Sequence, residues 1–266
     1  ETHFEFFDPS ESDFLGLKGL LNAYLDGETY DCSGLVDAIV GQPTVGRVVR
    51  LEEQLDPIAV VSVMNLGKHE HAQFLQDVLA FLQASAPTQK AKDQLARHVT
   101  GPSVKKESVG LIVSERVVNC PLELSSPLQQ SIFDEIKWAT EDEPTQALRD
   151  SFKFDHFLLF TRVYYSGGAP GGKDGSGHGG GGGGKGKKKK NKKKAGASEG
   201  EGEIVYVRPE DQFFHQECTW CFTFPAKHAH DIQGLVQHRM VMWIDTKAVD
   251  RARQALDQLF GQYLPQ

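Results

Sequence analysis

Apolar positions along this chain fall into two rhythms, and the switching between them predicts a mixed architecture. Phe14, Leu17, Leu21, Tyr24 and Leu25 recur at three- and four-residue steps, the period of one helical face, with Asp13 placed to cap and Asp26-Gly27 to stop. The same period predicts a short helix from Ser33 through Leu35, Val36 and Ile39 to Gly41. It predicts another through Phe74, Leu75, Val78, Leu79 and Leu82, and a weaker one over 89–98 that ends at Gly101-Pro102. Val249, Ala252, Leu256, Leu259, Phe260 and Tyr263 mark a last amphipathic helix. Between these lie β-rich runs at 4–7, 45–49, 59–64, 109–113, 154–165, 204–207, 222–224 and 240–244. The middle of the 154–165 run lacks alternation, as expected of a strand covered on both faces.

The stretch 108–143 is the most clearly patterned. An apolar strand at 109–113 is followed by a polar break, Ser114-Glu115-Arg116, read as a turn or bulge with Glu115 and Arg116 paired to each other. A second short run, Val117-Val118, is closed by Asn119-Cys120-Pro121. Ser126, Pro127 and Gln129 then have the spacing of a capping box, and Leu128, Ile132 and Ile136 beside Phe133 give the following helix one apolar face. That helix carries Trp138 and exits at Glu141-Asp142-Glu143. The sum is an α/β (α+β) fold: about seven or eight short strands in a twisted mixed sheet with flanking helices.

Residues 167–202 interrupt this pattern with Gly, Lys and small polar side chains, which offer nothing to bury against the entropy of ordering. The strand at 204–207 is expected to pair with the one ending at Tyr165. Residues 1–166 and 203–266 then make a single folded domain with 167–202 as an inserted loop, an extension that costs roughly 0.6 kcal/mol per doubling of length.

Composition sharpens the picture through charge. The 266-residue chain has a formal net charge of −7. Residues 167–203 hold nine Lys against four acids, leaving 20 bases against 32 acids elsewhere, a balance of about −12. An acidic body repels nucleic acid and attracts basic partners; such a surface also serves plain solubility. No apolar run approaches the roughly 20 residues of a membrane span, and no secretory signal is read at Glu1. Four cysteines make no disulfide framework and favour a reducing compartment.

Chemical signals are sparse. Lys187, Lys188, Lys189 and Lys190 with Lys192, Lys193 and Lys194 match the ligand of an import receptor, and equally a loose nucleic-acid contact or an inert polar insertion. No aromatic is interleaved to stack bases. His215, Cys218 and Cys221, with His228 and His230 beyond, include the ligand types of a zinc site. Read as sheet, however, the two cysteines stand three apart and point to opposite faces, and only a turn at Thr219-Trp220 would unite them. No catalytic, cofactor or metal residues are therefore assigned. The polyglycine run feeds lysines rather than a helix, unlike a phosphate-binding loop.

Several motifs in order resemble one family. They are Phe4-Glu5-Phe6-Phe7-Asp8-Pro9 leading to Asp13-Phe14-Leu15-Gly16-Leu17-Lys18, the run from Gly110 to Pro121, and Glu135-Ile136-Lys137-Trp138-Ala139-Thr140-Glu141-Asp142-Glu143. Phe152-Lys153-Phe154-Asp155 and Pro209-Glu210-Asp211-Gln212-Phe213-Phe214-His215 follow. Together they resemble the BCCIP family, whose fungal members are called Bcp, over nearly the whole chain. The resemblance implies a fold similar to GCN5-related acetyltransferases without the enzymatic activity. It also implies a mostly nuclear protein that binds others: in nuclear export, in escort of a large-subunit ribosomal protein during ribosome biogenesis, and in animals with DNA-repair and cell-cycle partners. Independently, the turn at 119–126 contains no glycine and adds a carboxylate, a poor cradle for a pyrophosphate. The expected activity is that of a non-enzymatic chaperone or adaptor for basic clients. Ser114, Glu115, Arg116, Asn119, Trp138, Glu141, Asp142 and Glu143 are its candidate binding face, and the lysine run its import signal. The alternatives are an acetyl-CoA-dependent acyltransferase and a nucleic-acid binder acting through the lysine loop.

Overall fold

The computed structural model describes residues 3–52, 54–166, 203–227, 231–232 and 234–260. In chain order these form β1 (Phe4–Phe7), α1 (Phe14–Leu21), α2 (Cys32–Val40), β2 (Gly46–Leu51), β3 (Ala59–Asn65), α3 (Gln73–Ser85), α4 (Gln89–Leu95) and β4 (Val109–Arg116). Then come α5 (Ser125–Asp142), α6 (Gln146–Asp150), β5 (His156–Ser166), β6 (Glu203–Tyr206), α7 (Pro209–Glu217), β7 (Trp220–Pro225), β8 (Asp231–Ile232), β9 (Leu235–Asp245) and α8 (Thr246–Phe260).

Among the described residues nine strands form one sheet in the order β1-β2-β3-β4-β5-β9-β7, with β6 paired to β5 and β8 to β9. All pairings are antiparallel except that of β4 with β5, so the sheet is mixed as expected, with nine strands rather than seven or eight. Residues 204–206 pair with 163–165, the neighbour relation the sequence predicts for the two runs flanking the Gly/Lys tract.

Alternating side chains divide two cores between the faces of the sheet. Leu111, Val113, Leu158 and Phe160 point to a layer built by α1 to α4, where they meet Leu17, Leu35, Phe74 and Leu82. Ile112, Phe157 and Leu159 point the other way, to Leu128, Ile132 and Phe133 of α5, Phe214 of α7 and Val249 of α8. Both faces of β4 and β5 are thus covered, which is why their sequences run apolar without alternation. At Gly110 the approach is tight: an added Cβ would lie 2.7 Å from Val63 Cγ1 and 3.0 Å from Phe157 Cδ1.

Two local expectations are corrected. Ser114-Glu115-Arg116 is no corner: β4 runs straight through it, with Ser114, Glu115 and Arg116 opposite Val61, Val60 and Ala59 of β3. Val117 adds one more backbone bond, to Ile58 O at 2.8 Å, and Val118 starts no strand. Similarly, Ser126 caps nothing. A 3-10 turn at Leu122–Leu124 leads directly into α5, and the Ser126 hydroxyl reaches Asp257 at 3.3 Å instead.

Candidate functional site

The geometry of the predicted binding face follows from where β4 and β5 part. Their parallel ladder stops at Ile112 with Leu159, while β4 stays on β3 and β5 stays on β9. Beyond that point the carbonyls of β4 have lost their neighbour, and buried backbone acceptors need partners. Arg208 supplies one, donating to Ser114 O, and its Nε and Nη2 bind Asp211 at 2.9 and 3.2 Å. Asp211 also accepts the Thr161 hydroxyl of β5. A buried Arg–carboxylate pair therefore staples the two strands where their own bonds end. Burial pushes the Asp211 carboxyl above its usual range, and Arg208 pulls it back.

Glu115 and Arg116 do not pair with each other. Consecutive residues of a strand face opposite ways. Glu115 therefore meets Arg162 at 2.7 Å on the α1 side, where Arg162 also donates to Ala23 O at 3.0 Å. On the other side Arg116 pairs with Glu210 and donates to Ser125 Oγ at 3.1 Å, at the head of α5. Both belong to internal ion pairs. Around the mouth of this filled gap lies an opening of about 760 Å³, and its exposed lining is apolar: Val117, Val118, Leu122, Val205 and Val207. Asn119 is exposed in the turn beside it.

Trp138, Glu141, Asp142 and Glu143 gather at the far end of α5, roughly 27 Å away along 18 residues at 1.5 Å each. Trp138 is 56% exposed, so it is a surface residue and not core. With Asp8, Asp142 and Glu143 it lines a shallow concavity of about 300 Å³. Its floor is Glu135, whose two oxygens take Arg47 Nε at 2.5 Å and the Gly46 amide at 3.0 Å. Burial pushes the Glu135 carboxyl up to about 7, opposed by Arg47. Arg47 also pairs with Asp8, so this basic side chain is already engaged. The last turn of α5 carries no basic residue. Acids there oppose the helix dipole, each by about 0.3–1 kcal/mol. The structure thus separates the predicted residues into Ser114, Glu115 and Arg116, internal at the head of α5 with Asn119 exposed beside them, and an acidic group on the surface at the other end.

Sequence reasoning missed Arg208, Glu210 and Asp211. Their signal was present: Pro209 at the first helical position and two acids in the first turn announce a helix start. The reading of Cys218 and Cys221 as strand neighbours is also overturned. Cys218 follows the last residue of α7 and β7 begins only at Trp220, so His215, Cys218 and Cys221 converge, their ligand atoms within 4.8 Å of one another. His228, His230 and the lysines 187–194 lie outside the described residues. Among the described residues no helix is long and apolar enough to cross a membrane.

Comparison with known proteins agrees with this architecture. The family model described as BCCIP matches residues 1–214. The chain is 32% identical to the Protein BCCIP homolog of Arabidopsis thaliana over 265 residues, covering 97% of this chain and 74% of that protein. It is 33% identical to Protein bcp1 of Aspergillus oryzae over 164 residues, covering 60% of this chain and 54% of the fungal one. The chain thus matches about three quarters of the length of the plant relative and about half of the fungal relative. The crystal structure of BCP1 from Saccharomyces cerevisiae superposes with a TM-score of 0.64 at 17% identity, covering 98% of this chain and 92% of that one, a likeness of fold.

Proposed function

The chain belongs to the BCCIP family, and from that premise we propose that it is a non-enzymatic adaptor or chaperone for basic client proteins, among them a large-subunit ribosomal protein in transit to assembly. The observation that carries this reading is the exposed end of α5, where Trp138 lines one concavity with Asp8, Asp142 and Glu143. An aromatic anchor ringed by acids suits a Lys/Arg-rich polypeptide, since the ring offers area and a π face while the carboxylates steer and pair. The helix gains nothing from acids at its C-terminus, which is consistent with a role in what the surface meets. The filled gap between β4 and β5 supports the same reading. Arg208, Glu210 and Asp211 fill the gap beside the α5 head, and its two arginines, Arg116 and Arg208, are each committed to a carboxylate rather than offered to a diphosphate. Lys187 to Lys194 serve as the import signal in this proposal, which places the protein in the nucleus.

Purified full chain is titrated with isolated basic large-subunit ribosomal proteins at rising salt. Binding that weakens with salt is expected, and a Trp138→Ala, Glu141→Lys, Asp142→Lys, Glu143→Lys variant loses roughly tenfold or more in affinity, about 1.4 kcal/mol per factor of ten. Unchanged affinity in that variant sinks the reading. Clear calorimetric binding of acetyl-CoA revives the acyltransferase instead.

A further inference from the structure

We propose that His215, Cys218 and Cys221 form a binding site for a borderline-soft divalent cation, of which Zn²⁺ is the fitting representative. The site lies apart from the acidic face and does not depend on the client-binding reading. Three positions at a spacing of three are carried by three different local structures: the last turn of α7, the residue that closes it, and the start of the edge strand β7. This bend turns a pattern that a continuous strand would scatter into one with a common focus.

The distances suit a tetrahedral ion. Zn–S bonds of about 2.3 Å and Zn–N bonds of about 2.0 Å place neighbouring ligand atoms about 3.5–3.8 Å apart. His215 Nε2 stands 3.2 Å from Cys221 Sγ, and all three ligand atoms fall within 4.8 Å of one another, so small side-chain rotations close the set. Both thiols are free and half-buried, shielded yet reachable. The second observation is Tyr206, whose hydroxyl lies 2.6 Å from His215 Nδ1. A cation on Nε2 leaves the ring proton on Nδ1, to be donated to Tyr206 Oη, the outer-shell contact that fixes ring and tautomer in metal sites. Two thiolates and an imidazole select zinc-like cations over Mg²⁺ or Ca²⁺. Binding releases up to two thiol protons to solvent and leaves the fourth position to water. The ion would tie the end of α7 to the edge of the sheet.

The test uses the full chain, reduced and freed of metal, titrated with Co²⁺ and then Zn²⁺. One equivalent of Co²⁺ is expected to give thiolate-to-cobalt charge-transfer absorption with the visible bands of a tetrahedral site, both erased by one equivalent of Zn²⁺. Cys221→Ser and His215→Gln, checked for folding by circular dichroism, lose the thiolate bands or the stoichiometry. Tyr206→Phe keeps the spectrum but weakens affinity roughly 10- to 100-fold. A Cys32→Ser, Cys120→Ser variant leaves binding unchanged. Absence of the cobalt bands in the reduced wild-type chain, or their persistence in Cys221→Ser, overturns the proposal.

Discussion

Glu135 shows how a single side chain can tie stability to pH. It is buried against Arg47 and the Gly46 amide, and its carboxyl is raised from 4.5 to about 7, chiefly by loss of solvent. The folded chain holds that proton more tightly than the unfolded one, so stability falls as pH rises from about 4.5 toward 7. Denaturant unfolding of the wild type minus that of Glu135→Gln is expected to decline across this window, by at most about 3 kcal/mol at 1.36 kcal/mol per unit. A difference that is flat or rises with pH contradicts the assignment. Arg208 makes the complementary case. Removing one partner of a buried ion pair strands the other, so Arg208→Met is expected to cost about 3–5 kcal/mol in urea unfolding. Adding Asp211→Leu recovers part of that, because no lone charge then stays buried; a double variant as unstable as the single would assign the loss to packing.

Helix α5 divides its labour by face and by end. Its apolar stripe, legible in the sequence from the spacing of Leu128, Ile132 and Ile136, closes one core, and Ile132 is fully buried. Ile132→Ala is expected to cost about 2–5 kcal/mol. Trp138→Ala, six residues along the same helix, is expected to change stability by no more than about 0.5 kcal/mol while weakening client binding. Equal losses in urea melts would place Trp138 in the core. Element β4 carries the opposite lesson. Ser114-Glu115-Arg116 reads as a break because three polar residues rarely sit in a central strand. The strand continues because the Glu115 side chain meets Arg162 of β5, Arg116 meets Glu210 of α7 and Ser125 of α5, and the Ser114 carbonyl accepts from Arg208. Likewise the approach of Cys218 to Cys221 depends on α7 ending just before Cys218, where the backbone turns extended.

For the molecule as a whole, charge is partitioned between the acidic remainder and the lysine run. Deleting residues 185–194 is expected to shift a fluorescently tagged chain out of the nucleus while leaving affinity for a basic client undiminished; loss of client binding would transfer that role to the lysines. The α/β character and the pairing across the Gly/Lys tract were written in hydrophobic period and turn residues, as was the covered middle of β5. These are local properties, fixed by how often an apolar side chain must return to one face. Which charges are internal and which meet solvent was decided only in three dimensions. Glu115 and Glu141 are the same residue type, yet one neutralises Arg162 under the sheet and the other stands exposed at the end of α5. The same holds for the meeting of His215 with two thiols. Desolvation and ion pairing depend on groups brought together from distant parts of the chain, and no periodicity along the sequence records those distances.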